Sequence, residues 1–358
     1  MVSRWAFSWV VLVWMLASCG KEEGTREQMV DLAAVAVEDP AKQLVSLSEA
    51  IERSKRDGSL YARRAMVLLR QNELDKALSD VDEAIRLSKD PANYFVKAQV
   101  LYLMGRREEA LPLALQAERN SFESSSLYVL LTELYLDKRE YAKAAQFARQ
   151  ALELSPDDPY AVYYKGRVSE VTGDTAVAIN HYHRALEFKP DFVQTHRSLA
   201  GLYLAQLDLA QARKHTEQGL RLSSEDPQLW HYKGMLQLQS ARKDSALVSF
   251  EKALALTDTL QAAHFQLAQL RHGLGENELA LQHLEKAPRY STDLKYLSVR
   301  ASSLERQGEN LAALRTYERM LAIEPKHTYA RQSVARLRYR LERPRPQLDS
   351  MAVRQRGF

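Results

Sequence analysis

Small and apolar positions return along this chain in a fixed order. Ala110, Ala144, Ala178, Ala212, Ala246 and Ala280 follow one another at a single constant step, and Ala77 and Ala313 extend the series at either end with a step shorter by one. Seven residues beyond each comes a second small residue (Ala84, Ala117, Ala151, Ala185, Gly219, Ala253 and Ala287), replaced once by Met320. Midway between the two the chain places an apolar or aromatic residue, as at Val81, Tyr182, Phe250, Leu284 and Tyr317. Upstream of each alanine an aromatic or apolar slot precedes a small residue, as in Tyr94 and Ala98, Val162 and Gly166, and Trp230 and Gly234. Two antiparallel helices approach closely only where side chains are short, with large neighbours filling the grooves on either side. The pattern therefore predicts two helices per unit and eight units in phase over about residues 58–326.

The punctuation agrees. Gly105, Gly173, Gly275 and Gly308 fall between the two helices of their units, where glycine ends a helix in a left-handed conformation at little steric cost. Pro156, Pro190 and Pro325 close units, breaking the second helix before the next begins. A fixed period of this length marks a solenoid of stacked units rather than one globular core. Residues 41–57 predict a partial repeat helix before the array, with Ala50 one full step before Ala84. Residues 327–343 predict a terminal capping helix, and the arginine- and proline-bearing residues 344–358 a basic disordered tail.

These positions and their spacing resemble the tetratricopeptide repeat, a unit of about 34 residues whose pattern is W-x2-L-G-x2-Y, A-x3-F, then A and P. One copy carries Trp230, Gly234, Ala246, Phe250 and Ala253, with Lys233 and Gln237 in the leucine and tyrosine slots; another carries Tyr128, Leu131, Tyr135, Ala144, Ala148, Ala151 and Pro156. The resemblance implies an all-α, right-handed α-solenoid of about eight helix pairs with a C-terminal capping helix. It also implies that the first helix of each unit lines a concave groove. The inward candidates on that mapping include Phe95, Tyr102, Tyr160, Tyr163, Arg167, Arg197, His231 and Phe265, with Gln99, Val129, Glu133, Met235 and Gln269 beside them. Aromatic residues and arginine are common interface anchors. Tyr160, Tyr163, Arg167 and Arg197 form the central stretch, suited to an extended or helical peptide with arginine taking a carboxylate. The Lys and Asn clamp of chaperone-binding members is not found in phase.

The N-terminus points to a compartment. Met1 to Arg4 precede an apolar run from Trp5 to Leu16, too short to span a bilayer comfortably and suited to a secretory signal. It ends Leu16-Ala17-Ser18-Cys19-Gly20, which resembles the bacterial lipobox. The resemblance implies a signal peptide over 1–18, lipidation of Cys19, and a lipidated tether over 19–40. Cys19 is the chain's single cysteine, so no intrachain disulfide and no multi-thiolate site can form. Two or more acyl chains give stable anchoring at ~0.8 kcal/mol per buried CH2. Gly20 is not the aspartate associated with inner-membrane retention, which favours the outer membrane. Lys21-Glu22-Glu23 resembles the lysine-plus-acids signal that sends some Bacteroidetes lipoproteins to the cell surface.

Charge and chemistry narrow the function. The chain carries a formal net charge of +4, but from His327 onward eight arginines face only Glu342 and Asp349, so the body before the tail is acidic on balance. That tail suits an acidic partner or acidic lipid. An exported protein with an acidic body is not expected to bind nucleic acid. There are nine histidines but no H-E-x-x-H motif, and His181 and His183 point to different helix faces. No G-x-S-x-G or phosphate loop occurs, and Gly273-Leu274-Gly275 falls at a helix turn. The expectation is a scaffold with no catalytic residue, metal or cofactor. It would bind other envelope proteins in its groove and the membrane through Cys19. The alternative is a surface-exposed accessory lipoprotein for secretion or nutrient uptake.

Overall fold

The computed structural model describes residues 39–342. The expected signal peptide, Cys19, nearly all of the expected tether and the expected basic tail lie outside the described residues. Within them the chain is helical from end to end, with 18 α-helices and no strand among the described residues. A first helix, α1 (Pro40–Arg53), precedes eight antiparallel pairs. These are α2 (Gly58–Arg70) with α3 (Leu74–Leu87), α4 (Pro91–Leu103) with α5 (Arg107–Arg119), α6 (Ser125–Asp137) with α7 (Tyr141–Leu154), and α8 (Pro159–Val171) with α9 (Thr175–Phe188). There follow α10 (Val193–Ala205) with α11 (Leu209–Leu222), α12 (Pro227–Gln239) with α13 (Lys243–Leu256), α14 (Gln261–Gly273) with α15 (Asn277–Glu285), and α16 (Leu294–Arg306) with α17 (Asn310–Ile323). A last helix, α18 (Thr328–Glu342), packs on α17. The architecture is an α-solenoid. No helix among the described residues is long and apolar enough to cross a membrane.

The periodic alanines form the seam of every pair. Ala77, Ala110, Ala144, Ala178, Ala212, Ala246, Ala280 and Ala313 are all fully buried. In two pairs the ring four residues later, Tyr182 or Phe250, lies against a glycine of the facing first helix. A Cβ added at Gly234 would stand 2.5 Å from the Phe250 ring, and one at Gly166 would stand 2.8 Å from the Tyr182 ring. Tyr182 and Phe250 are themselves fully buried, so neither ring has room to retreat. Ala287-Pro288 cuts α15 short, and a single 3-10 turn at Pro288–Tyr290 carries the chain onward. At the end of the array α18 buries Ala330, Val334 and Leu337 and turns its arginines outward; Arg336 reaches Glu305 at 2.9 Å and Arg338 reaches Glu318 at 2.7 Å.

Two further regularities emerge. The first helix of every pair ends in a left-handed residue. Glycine serves at positions 105, 173, 275 and 308, but Asn72, Arg139, Leu207 and Ala241 adopt the same conformation at φ of 57–61°. The residue that follows closes the turn onto the helix, as Asp208 N does on Tyr203 O at 2.9 Å. Most first helices also start on a side-chain cap. Asp57, Asp90, Asp158, Asp226 and Asp293 cap α2, α4, α8, α12 and α16, and Ser124 caps α6, whereas α10 and α14 have no such cap. First helices meet each other in doublets: α2 with α4, α6 with α8, α10 with α12, and α14 with α16. Second helices of successive pairs lack packing of that extent, so the first-helix face is the crowded, inner one.

Leu207 is 70% exposed and contributes little packing, yet holds φ at 61°. A left-handed backbone costs a side-chain-bearing residue ~1–2 kcal/mol, partly offset in glycine by its looser unfolded chain. Leu207→Gly is therefore expected to stabilise the protein by about 0.5–1 kcal/mol. A denaturation midpoint that stays or falls would contradict the strain at this turn.

Candidate functional site

The inner face carries a groove of about 480 Å³ at its centre. Its walls come from five successive first helices: Tyr102 and Leu103 of α4, Glu133 of α6, Tyr160, Tyr163, Tyr164 and Arg167 of α8, Val193, Gln194 and Arg197 of α10, and Pro227 at the start of α12. Arg107 closes one end, and Glu225 and Asp226 the other.

The caps that start the helices also brace this floor. Asp158 accepts the Tyr160 backbone N–H at 2.9 Å and, with its other oxygen, the Ser125 hydroxyl of α6. Asp226 accepts the Leu229 N–H at 2.9 Å and the Arg197 guanidinium at 2.9 Å. Each aspartate thus joins two neighbouring first helices while satisfying a helix N-terminus. Arg197 is held across the α10–α12 joint, with its side chain 38% exposed to the groove.

Aromatic rings fill the middle. Phe192 lies edge-on to Tyr160, with ring centres 4.9 Å apart, and 5.0 Å from the Tyr163 ring. Lys189 donates to the Tyr160 hydroxyl at 3.0 Å, and Arg167 donates to the Tyr163 hydroxyl at 3.2 Å. Arg167 also lies 3.7 Å from Glu170. On the groove floor the Tyr102 and Tyr164 hydroxyls bond to the Glu133 carboxylate. Burial pushes that carboxyl above its ordinary range, and the two tyrosine hydrogen bonds offset part of the rise. Gln194 also lines this groove, and its buried Oε1 has no hydrogen-bond partner. The site therefore offers donors (Arg167, Arg197), an unpaired acceptor (Gln194) and flat apolar rings. Among the described residues no group of three His, Cys, Asp or Glu is placed to hold a metal ion.

Of the residues singled out from sequence, Tyr102, Tyr160, Tyr163, Arg167 and Arg197 come together in this groove. Tyr163 is only 3% exposed, so its ring serves as floor and its hydroxyl as a seat for Arg167. Phe95 stacks on Phe122 at 5.4 Å and Phe265 on Tyr290 at 4.6 Å, both inside the core and away from the groove. His231 is buried against Phe250, its pKa driven down to about 4 by burial, and it too lies outside the groove. Cys19 falls outside the described residues. Phe192, Gln194 and Asp226 were not anticipated. A signal existed for Asp226, since Asp90-Pro91, Asp158-Pro159 and Asp226-Pro227 recur at twice the repeat spacing.

A helical-repeat solenoid with an aromatic and arginine-bearing inner groove belongs to the class of binding proteins. Residues 95–159 and 130–191 match the family model described as Tetratricopeptide repeat. Human Tetratricopeptide repeat protein 13 is 31% identical over 150 residues, which cover 41% of this chain and 17% of that protein. The chain thus spans about a sixth of that curated relative. Among solved structures, the crystal structure of the APC/C hetero-tetramer Cut9–Hcn1 aligns with a TM-score of 0.63 at 17% identity, covering 83% of this chain and 59% of that one. Pseudomonas aeruginosa PilF aligns with a TM-score of 0.53 at 17% identity, covering 60% of this chain and 97% of that one. At these identities the structural matches speak for the fold alone.

A carboxylate whose pKa is raised on folding penalises the folded state at neutral pH, and the penalty fades as pH falls through the raised value. Glu133→Gln keeps an acceptor for the two tyrosines and removes the buried charge. It is expected to raise the melting temperature at pH 7.5, with the gap to wild type closing toward pH 4. A lower melting temperature at pH 7.5 would show that the charge is stabilising.

Proposed function

We propose that this protein is a membrane-anchored scaffold of a bacterial cell envelope, which captures segments of partner proteins in the central inner groove. One observation carries the reading. First helices α4, α8 and α10 bring Tyr102, Tyr160, Arg167 and Arg197 onto one continuous groove beside the unpartnered Gln194 acceptor. Rings supply contact area at low entropic cost, and the guanidinium groups and Gln194 supply the hydrogen bonds that orient a peptide. The anchor is read from Leu16-Ala17-Ser18-Cys19-Gly20, with acyl chains on Cys19 and an outer-membrane destination. The scaffold performs no chemistry of its own. Lys21-Glu22-Glu23 favours a second reading, a surface-exposed accessory lipoprotein for secretion or uptake; protease added to intact cells cuts a surface protein and spares a periplasmic one.

Tyr160→Ala with Arg167→Glu changes two part-exposed groove side chains and leaves the alanine seam untouched. Affinity purification after crosslinking in cells is expected to recover a discrete partner set with wild type and to lose it with this variant at an unchanged melting curve. The same partners from both proteins would move the interface elsewhere. Cys19→Ala is expected to shift the protein from the membrane to the soluble fraction; retention in the membrane would sink the lipoprotein reading.

A further inference from the structure

Histidine occupies matching places in two units. His196 of α10 and His264 of α14 are separated by twice the repeat spacing, and so are His215 of α11 and His283 of α15. In each unit the two rings meet across the helix pair. Nδ1 of His196 is 3.1 Å from Nδ1 of His215, and Nδ1 of His264 is 2.9 Å from Nδ1 of His283. The first ring of each pair is also fixed at its other nitrogen. Nε2 of His196 is 3.1 Å from the Pro190 carbonyl oxygen, and Nε2 of His264 is 2.8 Å from the Asp258 carbonyl oxygen.

A carbonyl oxygen can only accept, so Nε2 carries the proton in His196 and His264. With both rings neutral, Nδ1 of the first ring is then an acceptor and Nδ1 of the second must donate. The same chain of hydrogen bonds runs in both units, from the second-helix histidine to the first-helix histidine to the carbonyl of the preceding loop. One added proton leaves the ring-to-ring bond intact. A second places two N–H donors, and two positive charges, face to face at about 3 Å.

The surroundings oppose even the first proton. His183 of α9 stands 5.7 Å, and Tyr203 of α10 5.8 Å, from the His215 ring centre. The Tyr203 hydroxyl is engaged 2.9 Å from His183 Nε2. Lys214 and Arg221 of α11 and the single carboxylate Glu187 of α9 border the same cleft. Nε2 of His215 is buried with no partner. Around the second pair stand Arg271 of α14, Lys286 and the Asp258 carboxylate. Burial first, then the neighbouring histidine, brings His215 and His283 down to about 4, and burial lowers His196 and His264 as well.

We propose that these two histidine pairs are acid-sensitive latches, which hold α10 to α11 and α14 to α15 at neutral pH and release them in acid. The sign follows from linkage. Histidine in the unfolded chain titrates near ~6.5, so below that pH the unfolded state takes up protons that the latched pairs refuse. Stability is full above pH ~6.5 and falls as the pH drops toward 4. α10 also supplies Val193, Gln194 and Arg197 to the groove, so opening its latch shifts one groove wall. That consequence rests on the groove reading; the latch does not, and melting reads the latch whether or not the groove takes a partner.

The test compares the full chain with a His215→Gln, His283→Gln variant, whose amides can still donate to the first-helix histidines but do not titrate. The wild-type melting temperature is expected to fall between pH 7 and pH 4.5, and the variant to lose at least half of that fall. Equal falls in the two proteins, or a flat wild-type profile, would overturn the proposal. Nitrogen-15 histidine spectra of the wild type provide the reading if the variant does not fold. Nε2–H tautomers at His196 and His264 and Nδ1–H tautomers at His215 and His283 are expected at pH 7.5. Ordinary titration of all four near ~6.5 would overturn it.

Discussion

Everything in this molecule depends on how closely two antiparallel helices can approach. The fully buried alanine seam brings the helix backbones together, and in three pairs a fully buried ring four residues later (Tyr182, Phe250, Tyr317) packs beside it. Each pair is thin and holds only part of a core. Stacking completes it: the largest continuous cluster runs from Phe95 through Leu199 across several units, without a boundary. Stability therefore spreads along the array as a sum of pairs and joints. A change at one seam is expected to be felt mainly by its neighbours.

The groove follows from the same constraint. First helices crowd one face in doublets, and the Asp caps at positions 158 and 226 join members of a doublet while fixing where the next helix starts. Side chains on that face converge, so residues far apart in sequence, Tyr102 and Arg197 among them, border one space. The rings that give the groove its floor are partly core residues. Tyr163 is shared in this way, packed against Phe192 and Tyr182 yet presenting its hydroxyl to Arg167.

Much of this was legible in the chain. The evenly spaced alanine series marked the seam, the unit count and the phase, because a helix contact that admits only small residues leaves a strict signature. Turn glycines at 105, 173, 275 and 308 were legible for the same reason. Arg139, Leu207 and Ala241 were not, since they adopt the left-handed turn without the residue that announces it. The site was half legible. Helical phase puts Phe95, Phe265 and His231 on the first-helix face, but phase does not tell whether Phe122, Tyr290 or Phe250 covers them. The doublet period was present as recurrent Asp-Pro and histidine positions. It stayed hidden because a spacing of two units is masked by the stronger single-unit one.

Site-specific photocrosslinking in living cells tests whether partners are held on the inner face. One photoreactive residue would replace Tyr160 in the groove, and another would replace Val248, which is 62% exposed on the second helix α13. A discrete crosslinked partner is expected from position 160 and none from position 248. A partner captured at 248 and not at 160 would contradict inner-face capture.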